Sequence, residues 1–175
     1  MVRDDEETTA PGAGMPADRL NEIGILTRRE IEARIVGPLL EGLAAAFGRE
    51  RVLAVAGEVI ARIAREQGAE RAAAVGGNTL AHFAASMEAW QKEDALRIEW
   101  LAQTDDELAY NVTRCRYAEM YRALGLAELG TLLSCNRDFA LIEGFNPEIA
   151  LARTQTIMEG QPCCDFRYRR RRPAE

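Results

Sequence analysis

The spacing of the apolar residues changes near residue 95, and this change limits the folds open to the chain more than any other feature. Before it, apolar side chains recur every three or four residues, as on one face of a helix. After it, residues 96–100 (LRIEW) alternate apolar with charged side chains, as a half-buried strand does. Residues 104–106 supply a turn, and Leu108, Tyr110 and Val112 alternate again. The sequence therefore predicts helices followed by a β-hairpin.

The first predicted helix begins at Thr27. Thr27 and Glu30 have the spacing of a capping box, in which each side chain binds the other residue's backbone N–H. Pro38 is expected to kink this helix and Gly48 to end it. An apolar stripe that should pack against the rest of the protein is formed by Ile31, Ile35, Leu39 and Leu43.

Four more helices are predicted, two on each side of the hairpin. The second helix covers about residues 49–67, and Asn78 is expected to cap the third. Short helices over residues 116–124 and 126–134 follow the hairpin, and a break is expected at Asn146-Pro147. The faces of the second helix expected to point inward carry Val52, Val55, Ala56, Val59, Ile60 and Ile63.

The order of helices, hairpin, helices and hairpin predicts an α+β fold. Residues 149–157 and 164–170 form the second hairpin, with its turn at residues 159–162. An antiparallel sheet of about four strands, with the N-terminal helices packed on one face, buries the apolar stripes most economically. Residues 1–18, acidic and then rich in Pro, Gly and Ala, are predicted to be a disordered leader, and residues 19–175 a single domain.

Composition and charge exclude several classes of function. The apolar runs are shorter than the roughly 18 to 20 residues of a membrane span, and the N-terminus is acidic where an export signal is basic. We therefore expect a cytoplasmic protein with reduced thiols and no membrane contact. The net charge is −6. The basic residues 167–172 are interpreted as a solvated strand end, and no nucleic-acid partner is expected, because no nucleic-acid motif accompanies them.

Cys135 is the first candidate for a reactive thiol. Arg137 could lower the pKa of this thiol, and Asp138 could orient a base or act as one. Because cysteine is among the most buried residue types, an inert core thiol beside a solvated Arg-Asp pair is an equally weighted alternative.

Two other stretches carry candidate site residues. Cys115 ends a predicted strand just before a helix, where backbone amides favour a thiolate, and Tyr117 and Glu119 are close by. Arg153 could hold a substrate carboxylate in a bidentate grip. Arg153 and Asp165 could instead form an ion pair across the second hairpin.

The cysteines also suggest a metal alternative. Cys115, Cys135 and Cys164, together with Asp138, could bind zinc or iron, which thiolate ligands favour. No Cys-x-x-Cys pair is present, so a compact zinc knuckle is not expected. Apart from this alternative, the sequence predicts no cofactor.

The C-terminal motifs together resemble a known family. They are residues 114–121 (RCRYAEMY), 124–125 (LG), 135–138 (CNRD), 152–157 (ARTQTI) and 164–168 (CDFRY). Their order is similar to that of the L-2-amino-thiazoline-4-carboxylic acid hydrolase family, and weaker similarity extends to the helix opening at Thr27. The resemblance implies hydrolytic opening of a cyclic isothiourea. It also implies that Cys115, Cys135 and Cys164 occupy matching motif positions.

These observations lead to two hypotheses. The first is a hydrolase that opens a C–N bond in a small cyclic amidine or isothiourea, with Arg153, Tyr117, Glu119 and Asp165 binding the substrate. Its catalytic residues would be Cys115, Cys135, Asp138 and Cys164. The second is a non-catalytic module of the same fold that binds a small ligand or metal. In both cases the partner is a small molecule, and the long amphipathic helices suggest a homodimer.

Overall fold

The protein has the α+β fold that the sequence predicts. The computed structural model describes residues 23–171, so the predicted leader at residues 1–18 lies outside the described range. The helices are α1 (Ile25–Phe47), α2 (Arg49–Ala74), α3 (Leu80–Ser86), α4 (Glu88–Gln91), α5 (Arg116–Ala123), α6 (Ala127–Gly130) and α7 (Arg137–Phe145). A short 3-10 turn (Lys92–Asp94) follows α4, and a π-helical turn (Thr131–Cys135) joins α6 to α7. Within residues 23–171, no helix is both long and apolar enough to span a bilayer.

The sheet contains four antiparallel strands. They are β1 (Leu96–Gln103), β2 (Glu107–Cys115), β3 (Ile149–Ala152) and β4 (Cys164–Arg170), in the order β1-β2-β4-β3. The first hairpin is confirmed, and the predicted inward residues of its second strand, Leu108, Tyr110 and Val112, are buried in the core. The alternation predicted for the first strand holds only in part, because Trp100 is 39% exposed. The first of the closing strands is shorter than predicted and ends at Ala152, because the chain leaves the sheet in a loop beyond that residue.

The predicted capping box is wrong. Helix α1 begins two residues before Thr27, after Gly24. The Thr27 hydroxyl donates to the carboxylate of Glu93, at 3.2 and 3.3 Å from its two oxygens, while Glu30 pairs with Arg34 one turn on. The Thr27 hydroxyl therefore binds Glu93, 66 residues further along the chain, and not the backbone of its own helix.

The third helix also begins differently from the prediction. Its N-cap is Thr79, whose hydroxyl accepts the backbone N–H of His82 at 3.3 Å. The carbonyl of the predicted cap, Asn78, instead accepts the side-chain amide of Asn146 at 2.9 Å. Asn78 thus ties the start of this helix to the end of α7 rather than capping it.

The prediction that the apolar stripe of α1 packs inward is wrong. Ile35, Leu39 and Ile31 are 66%, 57% and 51% exposed. The buried face instead carries small residues that let the helix approach its neighbours, as at Gly37, where a Cβ would come within 2.5 Å of a Leu126 methyl group. The predicted inward face of α2 is right only in part: Val52, Ala56 and Ile60 pack against the core, whereas Val55 and Val59 are 56% and 40% exposed.

Helix α7 is absent from the sequence prediction, yet it organises the core. It packs along α2, where Gly68 and Gly144 bring the two backbones together. Phe145 at its end meets Phe83 of α3 edge-on, with ring centroids 5.1 Å apart, and Phe83 in turn lies 5.0 Å from Tyr168 of β4. The helices therefore cover one face of the sheet, and the start of α7 points into the space between them.

Candidate functional site

A cavity of about 640 Å³ lies between the helices and the sheet. Its wall is built from the start of α1, the C-terminal half of α2, the α3–α4 segment, strands β2 and β4, and the start of α7. Six of the residues singled out from the sequence line it: Cys115, Tyr117, Cys135, Asp138, Arg153 and Cys164. The fold thus gathers residues that are separated by up to about fifty positions in the chain.

An ion pair between Asp138 and Arg153 forms the polar centre of this cavity. Arg153 Nη1 donates to Asp138 Oδ2 at 2.5 Å, and Arg153 Nη2 donates to the backbone carbonyl of Cys135 at 3.2 Å. The Arg153 guanidinium lies between the rings of Phe139 and Phe166, 5.1 and 5.2 Å from their centroids. Only 5% of the Arg153 side chain is exposed, so it is held in one orientation.

Asp138 is poised to exchange a proton near neutral pH. Burial raises the pKa of this carboxyl to about 6, although the guanidinium groups of Arg153, Arg137 and Arg29 act to lower it. The side chain keeps 31% of its surface accessible, and Asp138 lines the cavity. Such a carboxylate suits general acid-base catalysis, which is most effective when the pKa of the group lies near the working pH.

The three thiols of the cavity are held in their protonated form. Burial raises the pKa of Cys135, and the nearby Asp138 charge raises it further. Burial likewise raises the pKa of Cys164 to about 11, although the Ile157 backbone N–H donates to its sulfur at 3.2 Å. At Cys115 the backbone amides of Tyr117 and Ala118 lower the thiol pKa, as expected at a helix start, but burial outweighs them. None of these environments lowers the pKa of its thiol below the ordinary value, so none favours the thiolate.

We therefore expect slow alkylation of the native thiols. Raising the pKa of Cys164 from 9.0 to about 11 lowers its thiolate fraction near pH 7 by roughly 100-fold. With iodoacetamide at pH 7, Cys135 and Cys164 should be modified far more slowly in the folded protein than in urea. Peptide mass spectrometry over a time course measures both rates, and fast labelling of native Cys135 would contradict this environment.

The described residues do not form the metal site that was considered from the sequence. Residues 23–171 contain no group of three or more His, Cys, Asp or Glu side chains that could hold a metal ion. Cys115, Cys135 and Cys164 share the wall of the cavity without forming the thiolate cluster considered from the sequence.

Glu119 and Asp165, two of the predicted substrate-binding residues, lie outside the cavity wall. Glu119 is exposed and accepts from Arg114 Nε at 2.9 Å. Asp165 does not face Arg153 across the hairpin. Its carboxylate accepts the backbone N–H groups of Thr154 and Gln155, both at 2.9 Å, and so fixes the loop that follows β3. Asp165 therefore positions the chain next to Arg153 rather than binding its side chain.

Tyr117, the remaining predicted substrate-binding residue, does line the cavity. It is buried at the start of α5, and its hydroxyl reaches the backbone carbonyl of Trp90 at 3.4 Å. This contact links α5 to α4 across the cavity wall.

Arg28, Arg29, Arg71 and Arg137 also line the cavity, and none of them was predicted to be a catalytic or substrate-binding residue. Arg137 was considered only as a cation near the Cys135 thiol. Arg29 and Arg137 are buried, with 7% and 6% exposure, and Arg71 is partly buried. Arg29 pairs with Glu32, and Arg137 donates to the Gln67 side-chain amide. Burial lowers the pKa of Arg137 to about 10. Arg29 lies on the buried face of α1 together with Ala33 and Gly37. An arginine in line with small residues on one helix face was the sequence pattern that could have identified it.

Several solved structures resemble this fold, and two of them are described here. Subunit 3 of a trafficking protein particle complex from Naegleria fowleri, covalently bound to palmitic acid, is 11% identical, with a TM-score of 0.51; the match covers 83% of this chain and 96% of that one. The phenol-responsive sensory domain of the transcription activator PoxR, solved with phenol, is 13% identical, with a TM-score of 0.49 and coverages of 77% and 72%. At these identities the likeness concerns the fold alone.

Comparison of the sequence with protein families gives a more specific result. A search of curated proteins gave no significant match. The sequence model of the family described as L-2-amino-thiazoline-4-carboxylic acid hydrolase matches residues 28–168, a range that contains α1 beyond its first turn, the whole cavity lining from Arg28 onward and all four strands up to Tyr168. The chain therefore belongs to the L-2-amino-thiazoline-4-carboxylic acid hydrolase family.

Proposed function

We propose that this protein hydrolyses a C–N bond in a small cyclic isothiourea that carries a carboxylate, such as L-2-amino-thiazoline-4-carboxylate. The observation that carries the proposal is the Asp138–Arg153 pair, a carboxylate with a pKa of about 6 held inside a cavity whose wall is rich in arginine. Membership of the hydrolase family supports the substrate class.

In the proposed reaction, water attacks the carbon that lies between the ring sulfur and the ring nitrogen. The Asp138 carboxylate accepts a proton from the water as its oxygen bonds to that carbon, and then delivers the proton to the ring nitrogen. As the carbonyl forms, the second proton of the water passes from the new hydroxyl group to the same nitrogen, and the bond between this carbon and nitrogen breaks. Water is thereby added, and the S-carbamoyl product carries a free amine. Water is the nucleophile because the three cavity thiols are protonated.

The arginines have separate roles in this proposal. Arg153 is already bound to Asp138 and Cys135, so it keeps the carboxylate in place and favours its ionised form. The substrate carboxylate is therefore assigned to Arg137 instead of Arg153. Arg137 is buried next to Asp138 in the chain, and its hydrogen-bond partner is a neutral amide. The charges of Glu32 and Asp138 already act on the Arg137 guanidinium, and a bound carboxylate would add a charge-assisted hydrogen bond to it.

Incubation with L-2-amino-thiazoline-4-carboxylate tests the proposal. Mass spectrometry should show a product heavier than the substrate by one water, and a boiled sample should show none. A thiol reagent then identifies the broken bond, because C–N cleavage leaves sulfur carbamoylated, whereas C–S cleavage releases a free thiol. No hydrated product from this substrate or from related cyclic isothioureas would refute the proposal.

The pH dependence of turnover should reflect Asp138. The carboxyl must be ionised to accept a proton, so kcat/KM is expected to rise through about pH 6 and to level off above it. Arg153→Gln removes the cation that favours the ionised form, so the midpoint should move to higher pH. Arg114→Gln, which breaks an exposed pair with Glu119, is the matched control and should leave the midpoint in place. A midpoint unchanged by Arg153→Gln would contradict the role of this pair.

A non-catalytic binding module is the second candidate. The protonated thiols favour it, since a binding site needs no activated nucleophile. The fold is shared with a subunit that is covalently bound to palmitic acid in its crystal structure, but the cavity wall here carries several arginines, which suit a small anion better than an acyl chain. Tight binding of the aminothiazoline without any product would favour this candidate.

A further inference from the structure

The arginines of the cavity form two groups. Arg153, Arg137 and Arg29 are the cations that act on the Asp138 carboxyl. Arg71 belongs to a separate group, because the Ser86 carbonyl of α3 and the Trp90 ring of α4 hold its guanidinium. Both groups line the same cavity, so it offers positive charge at two places, and the reaction proposed above uses only the first.

Helix α2 connects the two places. Arg137 is bound to the side chain of Gln67, and Gln67 and Arg71 are four residues apart on α2. Residues at this spacing lie on the same face of a helix with their Cβ atoms roughly 6 Å apart. Both also line the cavity. A single extended ligand can therefore reach Arg137 and Arg71 at the same time.

Arg71 is positioned but not neutralised. Its Nη1 donates to the backbone carbonyl of Ser86 at 3.0 Å, and its guanidinium stacks on Trp90, with Cζ 4.0 Å from the ring centroid. Its Nε is buried without a hydrogen-bond partner. Glu70 and Glu88 line the cavity too, yet among residues 23–171 no carboxylate forms an ion pair with Arg71. A buried guanidinium without a counter-charge is costly unless a ligand supplies the charge.

The cavity is also larger than the proposed ring substrate requires. Pockets of about 300–1,000 Å³ hold drug-sized ligands, and 640 Å³ falls in the middle of that range. A single aminothiazoline ring with its carboxylate would leave the region beside Arg71 and Trp90 unfilled.

We propose that Arg71, stacked on Trp90, forms a second anion-binding subsite, and that the natural ligand carries two carboxylates, one for Arg137 and one for Arg71. The assignment of the first carboxylate to Arg137 rests on the proposed function, whereas the subsite at Arg71 does not require turnover. The substrate class is thereby extended from a cyclic isothiourea monocarboxylate to one that bears a second acidic arm.

Calorimetric titration with simple carboxylates tests this subsite without relying on catalysis. The probes are glutarate, adipate and pimelate, each compared with the monocarboxylate of the same chain length. At least one dicarboxylate should bind the wild-type protein roughly 10-fold or more tightly than its monocarboxylate partner, since one charge-assisted contact is added. Equal affinities throughout the series would overturn the proposal, even if the ring-opening activity were present.

Variants of α2 then assign the effect to Arg71. Arg71→Gln should abolish the preference for dicarboxylates and leave monocarboxylate affinity unchanged, while Arg71→Lys should keep part of the preference. Arg62→Gln, on the exposed face of α2, is the matched control and should behave as wild type. Thermal unfolding reports whether each variant is folded, and Arg71→Lys remains informative if Arg71→Gln is not. If folded Arg71→Gln kept the full preference for dicarboxylates, Arg71 would be only structural and the subsite would be refuted.

Discussion

Replacing Asp138 with asparagine is expected to lower kcat/KM for ring opening by about 10²- to 10⁴-fold, the usual contribution of a positioned acid-base group. Asparagine keeps the shape of the side chain and can still accept a hydrogen bond from Arg153, but it cannot take the proton of the attacking water. The loss should appear mainly in kcat, because the proposed anchor of the substrate carboxylate is Arg137 and not Asp138. Steady-state kinetics across a range of pH values measures both parameters.

The control for this variant is Asp94→Asn, which makes the same chemical change at an exposed carboxylate that pairs with Arg114. It should leave kcat/KM within about two-fold of wild type, because surface ion pairs contribute little. Unfolding of both variants in urea separates loss of activity from loss of stability. If Asp138→Asn kept its activity and its pH profile, the acid-base group would have to be sought elsewhere in the cavity.

The sequence predicted the sheet well because its signal is local. Every second residue of β2 points to the face of the sheet that the helices cover, so large apolar side chains recur at Leu108, Tyr110 and Val112. The sequence also pointed to Asp138, because it lies three residues after Cys135, and to Arg153, because it lies on the predicted closing hairpin. Their pairing could not be predicted, because Asp138 lies in a helix that was missed and Arg153 lies beyond the shortened strand β3.

The helices were harder to predict because apolar content does not determine which face is buried. On α1 the packed face is the one whose small residues, Ala33 and Gly37, allow close approach, whereas the larger Ile35 and Leu39 face outward. Contiguous exposed apolar surface of this kind often marks an interaction site, so the homodimer stays a prediction. Arg71 was missed for a related reason, since its importance depends on a cavity formed by distant elements.

Gly144→Ala is expected to destabilise the fold because there is no room for a methyl group between α2 and α7. A Cβ at Gly144 would lie 2.0 Å from the backbone carbonyl oxygen of Arg65, and one at Gly68 would lie 2.1 Å from that of Leu141. Backbone atoms cannot rotate away as a side chain can, so the helices must separate. Overpacking of this kind typically costs about 1–3 kcal/mol, occasionally more, and here it outweighs the gain of up to about 1 kcal/mol in helix propensity.

A glycine-to-alanine substitution at Gly42 is expected to stabilise the protein instead. Gly42 lies within α1, and apart from the adjacent backbone of that helix no described atom lies within 4 Å of an added Cβ. Gly42→Ala should therefore raise the free energy of unfolding by about 0.5–1 kcal/mol. Urea unfolding of the two variants compares them directly. Because α7 carries Asp138 in its first turn, the displacement forced by Gly144→Ala should also reduce turnover in the molecules that remain folded. A Gly144→Ala protein as stable and as active as wild type would mean that α2 and α7 do not pack at this distance, and the position of Asp138 in the cavity would then lose its structural basis.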